Sequence, residues 1–343
     1  MALAILCMAG CGKEDTTQGK EEEQADEVYL NPVYDSDFPD PTVWREDDGW
    51  YYAVCTQLKT VIRSNNLTSW HTATSRKAVS DADMNEIHAR YTNIYAPQVC
   101  EVGGERLLYA GLINSTTDSA VGVFKQDKTT GTFKYVGIVV GYPDMGGVKD
   151  SIDPDVVTDE NGRVWLFFGS TFGIHRIELN PDGLSVKEGA ELVRVAGKDG
   201  YSGSTREDVF EGAYLYKRGD YWYLFVSAGS YNNAGYKLLV GRSRTIDGEF
   251  VGKDGRKLYD GYATRILYSD SPDSLNGPGH NGEIFTDKKG RTYMFYHCHT
   301  VKASGTAYKP RKLLMQEIFW DKDGWPYFEG SKPQVYGNAP KLK

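Results

Sequence analysis

Cysteine, basic clusters and long apolar runs are all scarce in this chain. Only five of its 343 residues are Cys, and neither a CxxC nor an HExxH spacing occurs, which removes the usual frameworks for zinc. Cys7 and Cys11 fall in an apolar N-terminal stretch. Cys55, Cys100 and Cys298 lie far apart, each in an apolar strand-like run, and an odd number so placed reads as buried free thiols rather than a disulfide framework. Lys and Arg total 39 against 47 Asp and Glu, a formal charge of −8, and they form no long basic run. The footprint that nucleic-acid phosphates require is therefore missing. No amphipathic helix of ten or more residues is signalled, which argues against an α/β fold.

Aromatic residues and glycine are abundant instead: 24 Tyr, 13 Phe, 7 Trp and 38 Gly, beside 13 Pro. Aromatic side chains fit a half-buried pleated surface, and glycines supply the turns between short strands. An acidic cleft rich in rings suits a neutral, hydroxyl-rich ligand such as a sugar.

The N-terminus is a separate object. Residues 1–10 are apolar but too short to span a bilayer as a helix, and small residues precede Cys11, as in a bacterial lipoprotein signal. The expectation is a signal peptide over 1–11 with Cys11 lipidated, a polar, acidic and disordered tether over 12–28, and one catalytic domain over 29–343. Such a protein is exported, anchored to the outer membrane by lipid alone on its periplasmic or outer face, and monomeric.

An internal repeat organises the rest. Five times a glycine turn leads into an aromatic strand, at Gly49, Gly104, Gly162, Gly219 and Gly290. Strand candidates precede these turns at 40–46, 97–102, 153–159, 211–218 and 281–287, and others follow at 61–64, 120–125, 174–179, 237–242 and 313–319. Small sheets at this period read as blades of an all-β, five-bladed β-propeller, because each sheet buries its faces only against its neighbours. A two-sheet sandwich of repeated hairpins is the alternative. In a propeller the first strand of each blade lies at the central channel.

Three carboxylates open those first strands. Asp40 stands between Pro39 and Pro41, whose fixed φ values restrict it. Asp153 precedes Pro154, with Asp155 expected on the same strand face, and Glu211 opens blade four among small and apolar neighbours. Glycoside hydrolysis needs one acid for the leaving oxygen and one base to activate water, and a third carboxylate raises the acid's pKa by repulsion.

The motifs Pro39-Asp40-Pro41-Thr42-Val43, Tyr95-Ala96-Pro97-Gln98-Val99, Ile152-Asp153-Pro154, Glu211-Gly212-Ala213-Tyr214 and Asn276-Gly277-Pro278-Gly279-His280-Asn281 resemble, in order and spacing, glycoside hydrolase family 43. The resemblance spans roughly residues 29–330 and implies an inverting mechanism with Asp40 as base, Glu211 as acid, and Asp153 orienting Glu211 and tuning its pKa. By the same motifs Tyr95 and Phe172 are candidates to contact substrate. His280 resembles the channel histidine that in many members lies beside calcium or another ion. Calcium prefers oxygen, so contact through water is expected; no organic cofactor is. Gly169-Ser170-Thr171-Phe172-Gly173-Ile174 and the run 236–243 are most similar to the endo-acting arabinanases, which implies endo-hydrolysis of plant α-1,5-L-arabinan. Pro39 and Tyr95 stand where those enzymes commonly have His and Trp, which keeps exo-acting α-L-arabinofuranosidase and β-xylosidase open. Two other classes compete: a non-catalytic carbohydrate-binding propeller, and a glycoside phosphorylase, for which Arg206 and Arg242 are thin candidates to hold phosphate.

Overall fold

The computed structural model describes residues 27–198, 207–269, 275–300 and 310–342. Five antiparallel sheets follow one another along the chain. Blade one is Thr42–Arg45, Tyr51–Val54, Ile62–Ser64 and His71–Thr72; blade two is Asn93–Val102, Glu105–Ser115, Asp118–Gln126 and Phe133–Gly141. Blade three is Asp155–Thr158, Val164–Phe168, Ile174–Leu179 and Val193–Ala196, and blade four is Phe210–Arg218, Tyr221–Ala228, Lys237–Ser243 and Thr264–Leu267. In blade five, Asn276–Gly279 and Ile284–Thr286 both pair with Thr292–His299, and Arg311–Trp320 and Pro326–Tyr327 complete the sheet. Every expected glycine-turn strand is a second strand. Each of the five turn glycines has φ between 56° and 85°, a region that costs other residues strain.

The ring is closed by packing. Five buried apolar clusters lie one at each blade–blade boundary, from Trp44 with Leu108 between blades one and two round to Val43 with Phe295 between blades five and one. The first strands of blades one to four also contact one another in sequence, which places them on the axis. At the seam the strand Val28–Leu30 pairs with Tyr336–Asn338. From there the Val33 and Phe38 amides donate to the carbonyls of Leu313 and Arg311 at 3.0 and 2.6 Å. Phe38 is fully buried and leads directly into Pro39-Asp40, so the closing segment also delivers the first carboxylate.

The one α-helix among the described residues, Asp81–His88, links blades one and two and is N-capped by Ser80, whose hydroxyl accepts the Asp83 amide. The expected signal and tether lie outside the described residues except for Glu27 and Val28, and Val28 already belongs to the first strand. Cys55, Cys100 and Cys298 are free thiols, two of them buried.

Candidate active site

The functional side chains reach the axis through a backbone device repeated five times. Asp40, Ala96, Asp153, Gly212 and His280 all have left-handed φ, between 44° and 61°. Each stands at the start, the end or a bulge of an inner strand, and in each case the residue or its predecessor lines the upper end of the channel. Proline follows three of them (Pro41, Pro97, Pro154), where a missing N–H leaves no donor unsatisfied beside the channel. A residue before proline is usually extended, so the left-handed φ of Asp40, Ala96 and Asp153 runs against the local bias. The left-handed turn also overturns the shared face expected for Asp153 and Asp155. Asp153 lines the upper cavity, whereas Asp155 lies in the channel beneath it.

That upper cavity, about 270 Å³, is lined by Asp40, Asp153, Glu211, Tyr95 and His280, together with Thr56, Asp150, Ser170, Tyr231 and Arg311, among others. Five of the six residues singled out from sequence thus share one cavity. Phe172 is not among its lining residues; Lys149 lies over its ring, 5.5 Å from the centroid. Arg206 falls outside the described residues. Arg242 is remote from the cavity and is stacked on Tyr221 and Trp325.

Asp40 is buried and surrounded by donors. Arg311 Nη1 donates to its Oδ1 at 2.9 Å and the Thr56 hydroxyl to its Oδ2 at 2.6 Å. His297 Nδ1 lies 3.2 Å from Oδ1 and also 3.1 Å from the Asp40 amide nitrogen, so one ring nitrogen faces both a donor and an acceptor of the same residue. His280 Nδ1 stands 3.5 Å from Asp40 Oδ1 and 4.0 Å from Asp153 Oδ2. Burial opposes the charge on Asp40, but Arg311, with His280 and His297, outweighs it and holds the carboxyl well below the usual range. His297 is pushed down to about 3 by burial and then by Arg311, and is therefore neutral.

Glu211 has different company. Its Oε1 accepts the Tyr236 hydroxyl at 2.7 Å and its Oε2 accepts the Ser170 hydroxyl at 3.0 Å. Asp153 Oδ2 accepts the Gly212 amide at 3.0 Å, which pins the peptide next to Glu211. Burial, then repulsion from Glu211 and Asp40, push the Asp153 carboxyl well above the ordinary range. In such a buried pair, charge on one member disfavours charge on the other.

Below the cavity the channel narrows among Thr42, Gln98, Asp155, Tyr214, Asn281 and Glu283, with His280 at its top. Burial raises Asp155 to about 7 and Glu283 to about 8. Asp155 Oδ1 and Asn281 Oδ1 are buried without a hydrogen-bond partner. Among the described residues no three His, Cys, Asp or Glu side chains gather as metal ligands. The channel instead offers oxygen acceptors beneath an imidazole, which suits an ion held through water.

Sequence reasoning missed Arg311, Tyr231, Thr56, Tyr236 and His297. The cluster Lys309-Pro310-Arg311-Lys312 was one available signal for Arg311, since a buried carboxylate kept ionised needs a cation. Tyr231, whose ring lies under the Arg311 guanidinium at 5.0 Å, sits in a polar loop without periodicity.

A carboxylate paired with a guanidinium and a second one held by hydroxyls, on the axis of a five-bladed propeller, are the paired acids that glycoside hydrolysis requires. The chain belongs to glycosyl hydrolases family 43, whose sequence profile matches residues 29–326. It is 31% identical to a probable arabinan endo-1,5-alpha-L-arabinosidase A of Aspergillus flavus, over 87% of this chain and 93% of that one. It is 26% identical to the extracellular exo-alpha-(1->5)-L-arabinofuranosidase ArbA of Cellvibrio japonicus, over 98% and 93% of the two chains. Among solved structures, the Cellvibrio cellulosa alpha-L-arabinanase complexed with arabinohexaose matches with a TM-score of 0.72 at 25% identity, covering 86% of this chain and 96% of that one.

Proposed function

We propose that this enzyme hydrolyses internal α-1,5 linkages of L-arabinan with inversion of configuration. Asp40 is the general base, Glu211 the general acid, and Asp153 the neighbour that orients Glu211 and keeps a proton within the pair. The observation that carries the reading is the contrast between the two outer carboxylates: Asp40 is paired with Arg311, whereas hydroxyl groups hold Glu211. Inversion needs this asymmetry, because the base must be charged when the acid is not.

In the reaction, Asp40 accepts a proton from a water that attacks the anomeric carbon from the face opposite the leaving group. Arg311 and Thr56 occupy one side of each Asp40 oxygen and leave lone pairs for that water. Glu211 protonates the departing glycosidic oxygen. With both its oxygens already accepting from Tyr236 and Ser170, a proton on Glu211 takes a remaining lone-pair direction, toward the cavity. Tyr95 contributes a wall for the sugar; Tyr231 is a second aromatic candidate there.

The reading includes a calcium ion held through water beside His280, with Asp155 Oδ1 and Asn281 Oδ1 as the oxygen acceptors below it. Such an ion would place positive charge beneath the acid cluster. It also includes export, with Cys11 lipidated and the protein acting as a monomer on plant polysaccharide outside the cytoplasm, in keeping with relatives named extracellular.

Exo action is the second reading, favoured by the Cellvibrio japonicus relative, which matches nearly the whole chain. Product analysis on linear arabinan, debranched arabinan, xylan and aryl glycosides separates the two. A ladder of arabino-oligosaccharides early in the reaction supports endo action. A single short product from the first turnover onward replaces it with exo action, and release from xylan alone overturns the substrate assignment.

A further inference from the structure

Glu211 and Asp40 are carried by different blades, four and one, and blade five lies between them. Two stacked rings join them. The Tyr236 hydroxyl donates to Glu211 Oε1 at 2.7 Å. Its ring stacks on that of His297, with centroids 5.7 Å apart and planes 6° from parallel. His297 Nδ1 in turn contacts Asp40 Oδ1 at 3.2 Å and the Asp40 amide at 3.1 Å. Tyr236 is 1% exposed and His297 fully buried. His297 Nε2 has no hydrogen-bond partner among the described residues, so no second bond sets the ring's tilt and packing must do so. The neighbouring strand is shaped to let the rings lie there: a Cβ at Gly279 would collide with Tyr236, and the His280 ring flanks His297 at 6.1 Å and 24°.

We propose that the Tyr236–His297 stack is a spacer that sets the position of Glu211 relative to Asp40, with both rings acting as positioning residues for the inverting reaction. A water and a sugar ring must fit between the two carboxyl groups, and misplacement by about 1 Å costs about a hundredfold in rate. A rigid, fully buried pair of rings spanning two blades holds such a distance better than two side chains fixed independently. The consequence is specific: a change on the base side of the stack impairs the acid. The inference rests on the assignment of Glu211 and Asp40 made above.

The test compares hydrolysis of two aryl α-1,5-L-arabino-oligosides, one with dinitrophenol and one with phenol as leaving group. The first departs without help and the second needs the acid. Glu211→Gln should raise the dinitrophenyl-to-phenyl rate ratio by about 10²–10⁴. Tyr236→Phe, which keeps the stack and removes the hydroxyl, should raise it by about tenfold. His297→Gln should raise it comparably, although His297 bonds to Asp40 and stacks on Tyr236 rather than bonding to Glu211. An equal loss on both substrates in His297→Gln, with an unchanged melting temperature, overturns the spacer. Should His297→Gln fail to fold, Tyr236→Leu takes its place. It should slow the dinitrophenyl substrate about fivefold beyond Tyr236→Phe, because the base is then displaced as well; equal rates in the two variants overturn the proposal. If Glu211→Gln leaves the ratio unchanged, the acid assignment fails and the spacer falls with it, an outcome distinct from either of the others.

Discussion

Replacing Arg311 with Met removes the main cation beside Asp40 and nearly preserves side-chain bulk. The pair is largely buried, with Asp40 at 8% and the Arg311 side chain at 18% exposure. Breaking such a pair from one side leaves an uncompensated buried charge and costs about 3–5 kcal/mol. For a domain of this size each kcal/mol moves Tm by about 2 °C, so the fall at pH 7 should be about 6–10 °C. Its pH dependence is the sharper part. In the wild type the folded Asp40 carboxyl is depressed; its stabilising contribution is present above the unfolded aspartate range and lost as pH falls through the folded value. Without Arg311, burial dominates and the carboxyl moves up. The variant's deficit is then largest at neutral pH and shrinks on acidification, as Asp40 takes up a proton. The acid limb of kcat/KM, which needs ionised Asp40, should move to higher pH. Thermal melts at pH 5 and pH 7, with a pH–rate profile, measure both effects. An acid limb that stays in place, with equal deficits at the two pH values, would refute the reasoning.

Asp155 is raised to about 7 by burial, so the folded state holds a proton that the unfolded chain releases near pH 4, and stability falls as pH rises between these values. Asp155→Asn should flatten that slope in melts from pH 4 to 7, and an unchanged slope would show the carboxyl to be solvated. Exhaustive chelation should lower activity and melting temperature and added calcium should restore both; no change would leave His280 a structural or substrate-contact residue. Glu46 accepts from Trp44, Arg76, Arg106 and Gln126 across blades one and two. Glu46→Gln leaves the largely buried Arg76 without its carboxylate, while Arg106 keeps Glu101, and should cost about 3 kcal/mol in denaturant unfolding while leaving kcat unchanged; a matching loss of kcat would show that this boundary reaches the site.

The fold was legible because its signal recurs: five glycine turns, each flanked by apolar strands, leave few architectures that bury every sheet. The carboxylates were legible because Pro41, Pro154 and Gly212 mark the places where the inner strands turn. Asp40 and Asp153 were found by their prolines, yet their left-handed φ was not foreseen, since proline biases its predecessor the other way. The partners that tune them were harder to see. Arg311 and His297 meet Asp40 from more than 250 positions away in sequence, and Tyr236 reaches Glu211 only because Gly279 leaves room for its ring. Such contacts are set by blade packing, which local spacing does not encode. Phe172 shows the converse: it stands next to cavity residues in sequence, but its ring packs under Lys149.

The central claim is a single displacement with Asp40 and Glu211 on opposite faces of the sugar. Proton NMR of the first product, recorded before mutarotation, tests it most directly. The account predicts an anomeric configuration opposite to that of the substrate, with no such product from Asp40→Ala. Retention of configuration, or full activity in Asp40→Ala, would contradict it.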